Sequence, residues 1–512
     1  MNRKTAVSLV MVVGLAGTVA AWEVGRRSGD TANVGQAIGD NVRPNILIIV
    51  ADDLGVDKVG AYTIDVDDTY AEEATALPQT PVLDSMAQAG VRFTDGWANP
   101  ACSPTRATVL TGTWALRHGV GEALGREGSQ PLDTDETTLA HVASDANYAT
   151  GLFGKWHLGE GELPGSWADD ESWEEHLGEM VPVDFPTILV GFDAFRGVRS
   201  DLEVGDWEGY YDFMTLTSVN RVGSFTVPTA ETEYATTATT QAALGWINDQ
   251  TGPWLASVNY HAPHTPFQLP PSDCGYGDAS DLRDALTHKA MVECLDQEIG
   301  VLLDGVATLA NTVVLFIGDN GTEDRVAQGP FDDERGKGTL YESGIRVPVI
   351  AVDGADWMIS QGKGTAALTR RSLGVVENPG REVSDLVSVV DLYATVREIT
   401  GSATGGGEDS VSLMPFLRDT DGTIREFIYS ELYSTDSGTA AYRDDDAKLI
   451  VWARNQGGEF CRARYELYNV WEDRFEQNDL APSQPDAVED MKQKLDALVS
   501  SAPGSWLDVP DC

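Results

Sequence analysis

An apolar run without alternation, residues 44–51, opens the body of the chain and is broken by Asp52, Asp53 and Gly55. Such a run predicts a strand covered on both faces, as in a parallel sheet with helices on each side. A second run at 312–317 leads into Gly318, Asp319 and Asn320, and a third at 254–260 ends in a loop rich in histidine and proline. Between these strands the period changes. Val82, Leu83, Met86, Ala87 and Ala89 form one helical stripe that Gly90 stops, and 138–145, 235–246 and 282–306 carry helical patterns of their own. Beyond about residue 385 an amphipathic helix is predicted at 384–396, then strands at 427–433, 447–452 and 464–467, and a last helix at 487–499. The expected fold is α/β: a large, mostly parallel or mixed sheet sandwiched by helices, with a smaller C-terminal antiparallel sheet and helix. The expected bounds are 43–400 for a main domain and 401–512 for an α+β subdomain.

Ahead of the body, residues 1–22 start with Arg3 and Lys4, run apolar without an acidic residue, and carry small residues at 19–21. That pattern predicts a secretory signal or an N-terminal anchor, with a polar linker at 23–42 after it. The setting it implies is periplasmic or secreted. No other stretch is long and apolar enough to span a bilayer, so no membrane contact is expected beyond that segment.

Charge narrows the partners. The chain carries 35 Lys and Arg against 81 Asp and Glu, a formal net charge of -46. A surface this acidic repels nucleic acid and anionic membranes, which argues against both as partners. Salty surroundings would weaken its self-repulsion by screening.

Two strand ends carry the first candidate chemistry. Ligands of open α/β sheets collect at the carboxyl ends of strands, which is where Asp52 and Asp53, and later Asp319 and Asn320, are expected to fall. Four oxygen-bearing side chains suit Ca²⁺, or Mg²⁺, rather than zinc. A solvated turn would leave two adjacent like charges at the end of a buried strand without an explanation.

A second constellation surrounds Cys102-Ser103-Pro104-Thr105-Arg106, followed by Thr111-Gly112. It sets one modifiable sulfur beside one fixed cation at the start of a predicted helix, whose free amides favour an anion. Lys155 and His157 lie two apart, so in an extended segment both face one side with Trp156 opposite. His264 sits between Pro263 and Pro266, which fixes it in a loop and suits it better than His261 to a site role. Lys337 lies between Gly336 and Gly338, where it can approach a small anion closely.

The Cys102 string resembles the signature of the sulfatase family, in which this cysteine becomes formylglycine, whose hydrated aldehyde is the nucleophile. Residues 149–159 resemble a second signature of that family, and 335–348 and 465–481 resemble two further strings, so the likeness spans about residues 43–481. One departure is Ser343, where the family usually has the first glycine of a Glu-Gly-Gly pair. The resemblance implies sulfuric ester hydrolysis, with a metal held by Asp52, Asp53, Asp319, Asn320 and the modified Cys102. It implies that Arg106 and Lys155 hold the hydrate and the sulfate, and that His157 is the base that releases sulfate. Lys337 and His264 would assist the departing oxygen, and His118 would orient the nucleophile. Glu342 and Arg346 are read as holding their loop. A formylglycine-generating maturation enzyme is an implied partner. With Cys102 set aside, four cysteines allow three pairings, and spacing favours Cys274 with Cys294 and Cys461 with Cys512.

The alternatives are a phosphodiesterase or phosphonate monoester hydrolase of the same superfamily, and a non-catalytic module that binds anionic glycans. For the organic half of the substrate the sequence offers acidic, aromatic loops at 65–73, 167–180 and 207–213, with Trp167, Trp173, Trp207, Tyr210 and Tyr211 available to stack on a ring. Their carboxylates disfavour a densely sulfated polymer, which points to an aryl or lightly sulfated carbohydrate ester.

Overall fold

The computed structural model describes residues 43–65, 77–125, 130–159, 181–182, 190–198, 201–202, 209–218, 225–275, 283–327, 334–363, 373–420, 422–456, 459–502 and 505–512. The predicted signal and linker, most of the acidic stretch at 65–73, and Trp167, Trp173 and Trp207 lie outside the described residues. Residues 43–512 cluster as one compact unit.

Strands β1 (Asn45–Ala51), β2 (Val91–Phe93), β3 (Ala149–Lys155), β4 (Trp254–Asn259), β5 (Thr312–Gly318) and β6 (Val349–Asp353) belong to a mixed sheet of eleven described strands. Its centre is parallel: β1 lies between β5 and β4, and β4 pairs with β3, which pairs with Ala194–Val198. The edges turn antiparallel where β6 meets β5 and β2 meets β6. The unalternating run of β1 is explained by two cores: Ile46, Ile48 and Val50 face one, Leu47, Ile49 and Ala51 the other.

The helices used below are α1 (Pro81–Ala89), α2 (Cys102–Thr111), α3 (Leu139–Asp145), α4 (Ala235–Asn248), α5 (Asp284–Gly305), α6 (Asp391–Thr400) and α7 (Pro485–Ser500). Helices α2, α3 and α6 pack on one face of the sheet, and α1, α4 and α5 on the other. Helix α1 has no capping bond from its own Thr80. The carboxylate of Asp296, from α5, supplies it by accepting from the Val82 and Leu83 amides at 3.0 and 2.9 Å. Asp296→Ala is expected to lower stability by about 1–2 kcal/mol, because two amides at a helix start lose their acceptor. A shift in the urea midpoint checks it, and an unchanged midpoint would refute it.

Four antiparallel strands, Ile428–Tyr433, Ser437–Arg443, Lys448–Gln456 and Glu459–Tyr468, form the C-terminal sheet. One face packs on α7 through Met491 and Leu495, and the other on Trp97, Leu340 and Ile345 of the main body. The predicted helix at 384–396 needs correction: it begins only at Asp391. Val387–Ser388 is instead a short strand paired with Gly96–Trp97, as its β-branched neighbours favour, and the Asp391 carboxylate accepts from the Ser388 amide at 2.9 Å. Disulfides join Cys274 to Cys294 and Cys461 to Cys512. Among the described residues no helix is long and apolar enough to cross a membrane.

Candidate active site

The ends of β1 and β5 lie side by side, with Ala51 opposite Gly318, so the residues that follow them meet. Gly318 is required there, because a Cβ would strike the Leu54 carbonyl at 2.2 Å. The backbone turns at Asp53 (φ 63°), whose amide donates to the Asp319 carboxylate at 3.1 Å. Asn320 Nδ2 donates to Asp53 Oδ1 at 2.8 Å, and Lys337 Nζ reaches the same carboxylate at 2.7 Å. Asp52, Asp319 and Asn320 are fully buried.

Helix α2 carries Cys102 in its first turn and Arg106 one turn later. Arg106 lies between carboxylates, 2.8 Å from Asp319 and 3.4 Å from Asp52. From β3, Lys155 Nζ lies 2.5 Å from Asp52. The strand ends at Lys155, and His157 adopts φ 55° rather than the extended backbone expected from its spacing. The imidazole still turns inward: its Nδ1 is 3.1 Å from Cys102 Sγ and its Nε2 3.3 Å from the Leu124 carbonyl. His264 Nε2 lies 3.9 Å from Asp53. Asp52, Asp53, Cys102, Arg106, Lys155, His157, His264, Asp319, Asn320 and Lys337 thus form one contiguous cluster.

Electrostatics sets what this cluster can do. Burial pushes the Cys102 thiol up, so the unmodified sulfur is no activated thiolate. Burial, followed by the charge of Lys155, brings His157 down to about 4, leaving a neutral imidazole at pH 7 that can accept a proton. Burial, then the charge of Asp52, push the Asp319 carboxyl well above its usual range. Burial also opposes ionisation of Asp52, but Lys155, His264 and Arg106 outweigh it and hold that carboxyl below the usual range.

Asp52, Asp53 and His264 are grouped closely enough to hold a metal ion. Both Asp52 oxygens and Asn320 Oδ1 are buried without a hydrogen bond, although Lys155 is within ion-pair distance of Asp52. Asp52 Oδ2 has the charges of Lys155 and Arg106 beside it, whereas buried oxygens without a hydrogen bond, Asp52 Oδ1 and Asn320 Oδ1, are costly, and a hard cation would satisfy them. Charge agrees. Among the described residues, four carboxylates (Asp52, Asp53, Asp201 and Asp319) face three fixed cations (Arg106, Lys155 and Lys337), so with all four ionised the cluster would carry one negative charge, and the upward shift of Asp319 is the sign of that excess. A divalent cation would reverse it to one positive, suited to a monoanion.

His118 stands apart from this cluster. Its Nε2 is 3.0 Å from Thr108 Oγ1 and its Nδ1 accepts from the Val120 amide at 3.1 Å, so it bears on the body of α2. Burial lowers it to about 3. His261 is buried, whereas His264 is partly exposed. Glu342 accepts from Trp97 Nε1 and Lys448 at 3.1 Å each, and Arg346 Nε donates to the Thr94 carbonyl, both holding their loop. Ser343 Oγ donates to the Arg335 carbonyl at 2.6 Å, a bond the usual glycine could not make. Tyr210 corrects an expectation. It is fully buried, and its hydroxyl lies 2.8 Å from the carbonyls of His261 and of His264, so it braces the histidine loop and cannot stack on a substrate. Tyr211 is 39% exposed. Asp201, which no motif marks, places Oδ1 2.6 Å from Lys155 Nζ.

A model of the sulfatase family matches residues 44–402. The chain belongs to the sulfatase family. This sulfatase is 28% identical to arylsulfatase A of Bos taurus over 434 residues, covering 79% of this chain and 74% of that protein. It is 24% identical to the N-acetylgalactosamine-6-O-sulfatase of Bacteroides thetaiotaomicron over 528 residues, 89% of this chain and 93% of the other. Among solved structures, the PsFucS1 sulfatase from Pseudoalteromonas sp. matches with a TM-score of 0.66 at 20% identity, covering 90% of this chain and 91% of that one. At that identity the structural match speaks for the fold alone.

Proposed function

We propose that this sulfatase cleaves a sulfate monoester of a small aryl or lightly sulfated carbohydrate alcohol, using a formylglycine hydrate at position 102 and a calcium ion, with magnesium as the alternative. The observation that carries the reading is the place of Cys102. It begins α2 with His157 Nδ1 3.1 Å from its sulfur, beside a cluster of carboxylates whose buried Asp52 and Asn320 oxygens have no hydrogen bond. A thiol there would be a poor nucleophile and would keep any sulfate it took. A hydrated aldehyde offers two hydroxyls, one to attack sulfur and one to expel sulfate as the carbonyl reforms.

The chain's own residues take the remaining parts. Asp52, Asp53, Asp319 and Asn320, with the oxygen at 102, would hold the metal, which when bound neutralises charge as it develops on the sulfate. Lys155 and Arg106 orient the hydrate and the anion. His157 accepts the proton from residue 102. His264 and Lys337, reaching the cluster from separate loops, serve the departing oxygen. His118 acts through α2, by its bond to Thr108, on where residue 102 sits. Export is supported by the two disulfides, which an oxidising compartment preserves.

A turnover panel tests the reading, with an aryl sulfate, mono- and polysulfated oligosaccharides, choline sulfate and an aryl phosphodiester. Cleavage of the aryl sulfate or the monosulfated sugar in preference to the rest is expected. Turnover confined to the phosphodiester would replace the assignment, and a preference for polysulfated chains would overturn the charge argument.

A further inference from the structure

Asp201 belongs to none of the signature strings, yet it touches three of the residues given to catalysis. Its Oδ1 lies 2.6 Å from Lys155 Nζ, 3.7 Å from His264 Nε2 and 3.9 Å from His157 Nδ1. Lys155 pairs with two kinds of carboxylate. Asp52 is wholly buried, while the Asp201 side chain is 35% exposed. Of the two carboxylates on Lys155, Asp201 is thus the one that solvent, and an entering molecule, can reach. A scissile ester must enter from where solvent reaches, with its sulfate leading and its alcohol half last. Since His264 is the group next to the departing oxygen, a carboxylate 3.7 Å from His264 stands beside the carbon framework of the alcohol.

A carboxylate in that place can only accept hydrogen bonds. We infer that Asp201 is a specificity-determining residue: it accepts a hydrogen bond from a hydroxyl or amino group on the carbon next to the sulfated one, and it repels a second sulfate there. The inference rests on reading the site as one for sulfate esters. A donor to a charged acceptor is worth on the order of 10- to 100-fold in kcat/KM. A like charge about 5 Å away, at an effective dielectric constant near 20, costs on the order of 100-fold.

Three esters that share one ring separate these effects: 2-hydroxyphenyl sulfate, which offers the donor; 2-methoxyphenyl sulfate, which lacks it; and catechol disulfate, which replaces it with an anion. With the mature, calcium-loaded wild-type enzyme, kcat/KM is expected to fall about tenfold or more from the first to the second, and further to the third. In Asp201→Ala the first two should come within about threefold of each other, and the penalty on the disulfate should shrink at least tenfold. Equal losses on all three esters in the variant would overturn the inference, since a residue that merely steadies Lys155 acts before the alcohol is read. So would a wild-type enzyme indifferent to the three, a result that needs no variant and stands even if Asp201→Ala fails to fold. A wild-type enzyme that cleaves none of them, nor any other sulfate ester, is a different result and removes the reading of the site itself.

Discussion

Cys102→Ala is expected to lower kcat/KM for an aryl sulfate by about 10⁴-fold or more, the scale seen when a covalent nucleophile is removed, while the protein stays folded. The side chain lies at the start of α2 inside a packed cluster, and its loss removes a single sulfur from a helix whose other residues keep their contacts. The cost in stability should stay near 1 kcal/mol. Chemistry is expected to suffer far more, because the group lost is the one that stands 3.1 Å from the neutral His157 ring nitrogen. Circular dichroism and melting of the variant separate the two effects. Activity within tenfold of wild type would place the nucleophile elsewhere.

Removal of divalent ions is expected to abolish turnover, and Asp319→Ala to lower it by about 10³-fold or more, the scale of losing a preorganised charge at a transition state. The physical basis is the crowding of Asp52, Asp53 and Asp319 at two adjacent strand ends, where burial and mutual repulsion already oppose the charge of Asp319. Among the described residues the fixed cations Arg106, Lys155 and Lys337 offset them, and His264 adds to the pull on Asp52. Calcium added back should restore activity and raise the melting temperature, since an ion that binds only the folded state stabilises it by about 2.7 kcal/mol at a hundred times its dissociation constant. A verified metal-free protein with full activity, or one whose melting ignores calcium, would refute the cation site.

Much of this arrangement was legible in the sequence because its causes are local. The unalternating β1 run needs cover on both faces, and two cores supply it; Asp52 and Asp319 then follow from where two parallel strands end. What escaped depends on distant partners. The helix expected at 384–396 lost its first residues to a strand that pairs with Gly96–Trp97, and periodicity does not register such a partner. Strand Ser437–Arg443 is rich in small residues and gave no β pattern, but its neighbours on both sides complete it. Tyr210 looked like a surface ring for stacking and is a buried brace, because the carbonyls its hydroxyl meets come from residues some fifty positions away. Asp201 had no signal at all: an ordinary aspartate acquires a role only when the fold sets it against Lys155 and His264. His157 shows the reverse case, where the expected side of the chain was right although the backbone reaches it through a left-handed turn rather than a strand.

Mass spectrometry of tryptic peptide 93–106 from active enzyme reads the covalent state of residue 102. The expected peptide has lost sulfur and gained oxygen, as aldehyde or hydrate, in a fraction that tracks specific activity across preparations. A fully unmodified cysteine in a preparation with high turnover would contradict it.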